Sequence, residues 1–321
     1  MLYPLRFFPI YQTAIWGGGA FFRQWGREHG NYEQIAESWE ISGHRNGISI
    51  VADGPLKGKS LQELVADYGK ELLGKHAAQV DFPLFVKILD ARQALSVQVH
   101  PGQEIVQKLR LPDKEKAEAW VILHAEPESR ISLGFKWPVT RKMVTEMVSA
   151  GRLEEVLHTF EPRVGDCFFI PPGMVHSMGA GVTAYEIQTC SDLTLRLYDW
   201  NRRDHLGRSR ELHLEQAVPA CDVLRWQVGA VTPRRETDFP AVERLLCTEY
   251  FHLDRWNVKP ESSGKIGGDS RCHVLTFLSG TASVDGVFGP LSAGETLLVP
   301  ACLPEVEVRG EAVFLDAYLP G

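Results

Sequence analysis

GDCFFIPPGMVHSMGAG, residues Gly165–Gly181, decides how the rest of the chain is read. A glycine and an acid precede four apolar residues, Cys167 to Ile170. Two prolines and a glycine then break the run, and His176 stands three residues past Gly173. The apolar run reads as a strand. Pro-Pro-Gly cannot continue it, because proline fixes φ and lacks an N–H, while glycine supplies a positive φ. The pattern predicts a strand, a stiff corner and a second strand that opens on one imidazole. Such a histidine, taken alone, is more often a surface or hydrogen-bonded residue than a ligand, so its meaning depends on its company.

A weaker copy lies 129 residues further on, at GETLLVPACLPE (294–305). Gly165, Pro171, Gly173 and His176 align with Gly294, Pro300, Cys302 and Glu305. The copy keeps the strand and the proline but has lost the turn glycine and the histidine. Other short apolar or alternating runs are SWEIS (38–42), LSVQVHP (95–101), AWVILHAE (119–126), RISLGF (130–135) and AYEIQ (184–188). YFHLDRWNV (250–258), HVLTFLSGTASVDG (273–286) and AVFLDAYL (312–319) continue the series. Strands this short and this evenly punctuated predict a mainly β chain of antiparallel sandwiches or barrels. Helical periodicity is confined to SLQELVADYGKELLG (60–74), opened by a Ser60/Glu63 capping box, and TRKMVTEMVSAGRLEEVLHTF (140–160). A polar stretch broken twice by proline, TPRRETDFPAVE (232–243), reads as a linker.

The totals narrow the function classes. A chain of 321 residues is long for one core, so two domains are expected. A net charge of −7 argues against a phosphate-backbone partner, which requires a positive field. The arginines 196, 202, 203, 208 and 210 are interspersed with Asp204 and Glu211 and lack aromatic interleaving. They read as a solvated loop, with one or two available to a substrate phosphate. No apolar run approaches the roughly 20 residues of a spanning helix, and the opening segment is broken by proline and charge before a leader could form. Six scattered cysteines without a C-x-x-C pair read as small hydrophobes in a reducing compartment. The expected location is the cytoplasm, with neither nucleic acid nor membrane as a partner.

His176 gains company in LSVQVHPG, where Gln98 and His100 at i and i+2 leave one face of one strand. Glu118 stands at the mouth of the next strand. Two imidazoles, a carboxylate and an amide oxygen suit Zn²⁺ with an open position, and two histidines plus one carboxylate suit Fe(II) equally. The remaining histidines (29, 44, 76, 124, 158, 205, 213, 252 and 273) have no such company and read as structural or solvated.

G-x5-P-x-G-x2-H resembles the second motif of the cupins, which implies a bicupin: two antiparallel double-sheet β-barrels of jelly-roll type with a small helical segment. FPLFVKILDARQALSVQVHPG, KAEAW, the Gly165–Gly181 stretch and YEIQTCSDLTLRLYDWNR together resemble the type I phosphomannose isomerases in their short bacterial form. WGGGAFF (16–22), AESWEIS (36–42) and residues 250–319 extend the resemblance over nearly the whole chain. It implies a catalytic cupin domain at 1–235, with helical segments near 60–74 and 138–160, and a degenerate cupin at 236–321. Longer family members carry a large helical insertion between the barrel motifs; this chain offers only about residues 136–160 there.

By the same resemblance, one Zn²⁺ per chain is held by Gln98, His100, Glu118 and His176. Lys116 is the lysine of K-x-E, Lys87 that of F-P-L-x-x-K and a substrate contact, and Arg196 the active-site arginine ten residues after Glu186. The implied reaction interconverts mannose 6-phosphate and fructose 6-phosphate through an enediol(ate). Either Lys116 or Glu186 serves as the base. A cupin Fe(II) dioxygenase and a non-catalytic sugar-phosphate-binding cupin are the competing readings. The oligomeric state, monomer or dimer, is left open.

Overall fold

The computed structural model describes residues 2–19, 22–23, 25–27, 34–203, 206–225, 228–238 and 240–321. Ala20 and Phe21 of WGGGAFF, His29, Asp204, His205 and Phe239 lie outside the described residues. The chain is mainly β and divides into two contact units. One comprises Tyr11–Ser38 and Ile88–Ala230; the other comprises Met1–Ile10, Trp39–Lys87 and Val231–Gly321.

Two sheets enclose a core cluster drawn mainly from residues 89–184. A five-stranded sheet runs in the order Leu195–Tyr198, Val97–Val99, His176–Met178, Ile131–Phe135, Leu157–Phe160. A six-stranded sheet orders Ile10–Thr13, Ile35–Ile41, Leu84–Ala91, Val182–Thr189, Glu118–Ala125 and Cys167–Ile170. Trp120, Ile122, Phe168 and Ile170 from the larger sheet share one core cluster with Ile131, Leu133 and Met178 from the smaller. The inner faces therefore pack on each other, and each fully buried large side chain contributes about 1.5–3 kcal/mol. Alternation does the sorting. Val97 and Val99 point to the reverse face of the five-stranded sheet, where they join Val144 and Val148 of the helix Arg141–Ser149 and Ala217 and Ala220 of the helix Leu214–Ala220. Gln98, between the two valines, points the other way.

The periodicity over 140–160 predicts one helix, and the structure corrects it. Thr140 caps Arg141–Ser149, accepting from the Met143 N–H at 3.1 Å. Gly151, at φ +66°, ends that helix, a short 3-10 turn covers Leu153–Val156, and Leu157–Phe160 is a strand paired with Ile131–Phe135. Leu153, Val156 and Leu157 bury into the same cluster as Val144 and Val148. A turn and a strand that cover one core thus imitate a helical stripe. Over 60–74 the expectation holds: Ser60 and Glu63 form a reciprocal capping box on Leu61–Leu73.

The other unit carries a nine-stranded sheet with Leu5–Arg6, Thr296–Val299, His273–Val284, Val306–Tyr318, His252–Val258, Ala241–Cys247 and Arg234–Asp238 in order. Ser263–Ile266 pairs with Val306–Tyr318, and Leu291–Ser292 with His273–Val284. Leu275, Phe277, Val299, Val308 and Phe314 lie in its buried core.

The sequence repeat is a repeat of hydrogen bonds. The N–H of Gly165 donates to the Ile122 carbonyl at 2.8 Å and Ile122 donates back to Asp166 at 2.9 Å. Gly294 donates to Phe277 at 2.8 Å and Phe277 to Glu295 at 3.0 Å. Both glycines need the left-handed region, with φ +90° and +89°. The register extends the match: Glu118 stands opposite Ile170 and Gln188, as His273 stands opposite Val299 and Tyr318. Glu186 opposite Trp120 corresponds to Asp316 opposite Leu275. His273, Asp316 and Tyr318 therefore occupy the ladder positions of Glu118, Glu186 and Gln188.

They are buried and fully engaged. His273 Nδ1 lies 2.9 Å from Asp316 Oδ1, and Nε2 lies 3.3 Å from Asp269. The ring packs 4.7 Å from that of Tyr318, whose hydroxyl donates to Asp254 at 2.7 Å. Arg271 lies over the Tyr318 ring, and Arg244 pairs with Asp254. Burial alone would lower the His273 imidazole, but the Asp316 charge and the bonds to both acids carry it from 6.5 up to about 9. Burial raises the Asp316 carboxyl in turn, so the pair is worth well under a full ion pair.

A folded value above the ordinary 6.5 means that the His273 contribution is complete below that pH and is lost as pH rises through about 9. His273→Gln should cost about 3 kcal/mol at pH values below 6.5, and the gap to the parent should shrink above pH 9. Thermal melts of both proteins across that range check this; a gap independent of pH would contradict a charged His273.

Candidate metal centre

One cross-strand row starts the site. Arg196 stands opposite Gln98, and Gln98 opposite His176, on three adjacent strands of the five-stranded sheet. Residues paired in this way share a face, so the three side chains enter the space between the sheets together. Glu118 and Glu186 enter from the facing six-stranded sheet, next to Gln188 and Trp120 respectively. The ligand atoms of His100, Glu118 and His176 lie within 4.8 Å of one another, and all three side chains are buried.

The corner of the opening stretch acts as expected. Gly173, at φ +86°, donates its N–H to the His100 carbonyl at 2.8 Å, which pins the turn to the partner strand. A Cβ there would also press on Asp222 Cβ at 3.2 Å and the Ala220 carbonyl at 3.3 Å. His176 then opens the strand His176–Met178 with its ring fixed, 4.6 Å from that of His100 and edge-on to Trp120 at 5.6 Å.

Proton bookkeeping shows what the cluster can hold. His100 Nδ1 donates to the Leu193 carbonyl at 2.9 Å, and His176 Nδ1 to the Met174 carbonyl at 2.9 Å. A carbonyl only accepts, so each Nδ1 carries a proton. Burial, with the Lys116 charge behind it, lowers His100 from 6.5 to about 3. Burial likewise lowers His176, against the pull of Glu118. Burial favours the neutral form of both rings, and with Nδ1 carrying the proton each Nε2 then presents a lone pair. His100 Nε2 faces Glu118 Oε2 at 3.0 Å, and His176 Nε2 faces Glu118 Oε1 at 3.3 Å. Burial by itself would raise the Glu118 carboxyl, but the Lys116 ammonium holds it well below the ordinary carboxylate range. Glu118 Oε1 has no hydrogen-bond partner although it is buried. Two nitrogen lone pairs and a carboxylate converging out of water form a set that fits a divalent cation.

Gln98 adds a fourth donor after one rotation. Its Nε2 lies 3.1 Å from His176 Nε2, and its Oε1 accepts from the Ser96 hydroxyl at 3.3 Å. Turning the amide by half a revolution brings Oε1 to the cluster. Lys116 lies 2.9 Å from Glu118 Oε2 and 3.9 Å from Glu186 Oε1. Trp120 Nε1 donates to Glu186 Oε2 at 3.0 Å. Arg196 donates from Nε to Ser96 at 3.3 Å and from Nη1 to the Glu211 carbonyl at 2.8 Å. Burial lowers it, and Arg210 adds to the effect. Lys87 belongs to the other contact unit; its ammonium lies 4.5 Å over the Phe85 ring and 5.2 Å over Trp39.

The sequence reading missed Trp120, Ser96 and the two carbonyls. Trp120 was findable, since at i+2 from Glu118 it shares that residue's face; backbone carbonyls leave no side-chain signal. His213, read as structural or solvated, accepts the Arg196 N–H on Nδ1 at 3.0 Å.

Residues 5–116 match the family model for the phosphomannose isomerase type I catalytic domain. The chain is 32% identical over 323 residues to mannose-6-phosphate isomerase ManA of Bacillus subtilis, covering 98% of this chain and 99% of the relative. It is 37% identical over 308 residues to mannose-6-phosphate isomerase of Streptococcus mutans, covering 95% and 94%. The crystal structure of the mannose 6-phosphate isomerase from Bacillus subtilis matches with a TM-score of 0.90 at 28% identity, over 98% of this chain and 99% of that one. A zinc-bound mannose 6-phosphate isomerase structure, 15% identical with a TM-score of 0.81 over 100% of both chains, shares the fold.

In chelator-treated protein at neutral pH, nitrogen-edited NMR of the imidazoles should find His100 and His176 protonated on Nδ1 and bare at Nε2. Adding a divalent cation should perturb the Nε2 resonances first. An Nε2–H tautomer in either ring would contradict the geometry.

Proposed function

We infer the function from one premise: the chain belongs to the type I phosphomannose isomerase family. It is a mannose-6-phosphate isomerase, an enzyme that interconverts mannose 6-phosphate and fructose 6-phosphate. The observation that carries the reading is the buried set of convergent acceptors with an acid–base pair directly beside it. Aldose–ketose isomerisation removes a proton from C2 of the aldose and returns one to C1 through an enediol(ate). It therefore calls for a group that stabilises negative charge on the carbonyl oxygen, as a cation can, and a group that holds the proton in transit.

His100, Glu118 and His176, with the amide of Gln98 turned inward, are the residues that would hold the metal, and the donor set favours Zn²⁺. When bound, it supplies a Lewis acid for the substrate oxygens on which negative charge develops. Lys116 and Glu186 form the proton-handling pair: 3.9 Å apart, they can pass a proton from C2 to C1 without releasing it to solvent. Trp120 holds the Glu186 carboxylate in place through its indole N–H. Arg196, in the same row as Gln98 and His176, is suited to the developing oxyanion or to the phosphate. Arg202 and Arg210 converge on Asp199 and extend that positive field. Lys87 is assigned to the substrate.

The acid–base pair also separates this reading from an Fe(II) dioxygenase, which needs the histidines and the carboxylate but no such pair. Six free cysteines support a reducing compartment, and we place the enzyme in the cytoplasm. Among the described residues no helix is long and apolar enough to cross a membrane.

A coupled assay of mannose 6-phosphate conversion should show activity that a chelator abolishes and Zn²⁺ restores. Iron-dependent oxygen uptake in its place would overturn the assignment. Glu186→Gln and Lys116→Met should each lower kcat by about 100-fold or more while retaining metal. His176→Ala should lose metal and turnover together, whereas Arg196→Ala should keep the metal and lose about 100-fold in kcat/KM.

A further inference from the structure

Two loops flank the cluster, and neither contributes a proposed metal ligand. Residues 113–117 carry Lys116 toward Glu118. Residues 189–193 end at the Leu193 carbonyl that fixes the His100 ring. The loops are stitched together side by side. Thr189 exchanges bonds with Ala117, N–H to carbonyl at 3.0 Å and N–H to hydroxyl at 3.2 Å, and its hydroxyl donates to the Glu115 carbonyl at 3.2 Å. The Ser191 hydroxyl donates to the Lys114 carbonyl at 2.8 Å and accepts from the Leu193 N–H at 3.3 Å. Asp192 donates its N–H to Asp113 Oδ2 at 2.9 Å. Beneath them, buried Gln188 donates its amide to the Ser191 carbonyl.

Ser191 is the knot. It is fully buried, and its one hydroxyl bonds the backbone under Lys116 on one side and the peptide that leads to the His100 acceptor on the other. We propose that Ser191 is a positioning residue for the isomerisation: it sets the Leu193 carbonyl so that His100 presents Nε2 to the cluster, and it holds the Lys116 loop at the distance the acid–base pair requires. The proposal rests on the metal and proton-transfer roles assigned above. Its geometry can nevertheless be tested without turnover.

Losing a group that orients a metal-ligating histidine typically costs about 10–100-fold in metal affinity. Ser191→Ala should fold with an unchanged circular dichroism spectrum, bind Zn²⁺ about 10-fold more weakly in competition with a chromogenic chelator, and lose a similar factor in kcat with KM moving less than about 3-fold. The His100 Nδ1–H resonance should broaden or split. Asp113→Ala removes the neighbouring stitch without opening a buried hole and should act in the same direction, while Asp113→Asn, which keeps an acceptor, should restore both affinity and kcat. The Asp113 pair carries the test if Ser191→Ala fails to fold. Zn²⁺ affinity and kcat within about 2-fold of the parent in Ser191→Ala, or in Asp113→Ala where Ser191→Ala does not fold, would overturn the proposal. A parent enzyme that binds Zn²⁺ yet leaves mannose 6-phosphate unconverted would instead overturn the activity, and the affinity measurements would still judge the loop clamp.

Discussion

The buried cluster around Glu118 is organised around a repulsion. Neutral His100 and His176 point lone pairs at a buried carboxylate, and the Nδ1 protons that could have relieved the contact are committed to backbone carbonyls. Nothing in a low-dielectric interior tolerates three converging acceptors without a positive charge close by. Lys116, 2.9 Å from Glu118, meets part of that need from one side. The donor set between the two histidines is of a kind that could hold a cation, and the corner at Pro171–Gly173 fixes the strand that carries His176.

Reading the sequence recovered what side-chain pattern can encode. Alternation at LSVQVHP placed Gln98 and His100 on one face, and the Pro-Pro-Gly corner placed His176, because both rest on local backbone geometry. The long stripe at 140–160 misled for the same reason that it attracted notice: burial was read correctly, but Gly151 divided it between a helix and a strand that share one core. Register between distant strands was beyond local pattern. The row Arg196–Gln98–His176 depends on which strands neighbour which, and no spacing in the chain states that. The carbonyls of Met174 and Leu193, which determine where the histidine protons sit, carry no side-chain identity at all.

The two sheet systems show what the repeat preserves. Gly165 and Gly294 make the same reciprocal hydrogen bonds at the same φ, so the turn survives as a backbone device whatever the side chains do. The polar positions above it have changed sign. Where the first copy sets a carboxylate among neutral imidazoles, the second sets a protonated imidazole among carboxylates, with His273 between Asp316 and Asp269.

That inversion explains how the second copy can be closed without being apolar. An imidazolium at the Glu118 position supplies its own cation, so the carboxylates around it are neutralised by a side chain. Tyr318 and Arg244 then satisfy Asp254. Replacing the whole cluster with hydrophobes would be the simpler route to stability, since buried ion pairs repay their desolvation poorly. A ladder that points polar side chains at a common centre leaves each of them needing a partner. In the first copy Lys116 supplies a positive partner to Glu118, and in the second His273 supplies one to Asp316. The same ladder positions are therefore filled in opposite charge sense, by Glu118 and Glu186 in the first copy and by His273 and Asp316 in the second.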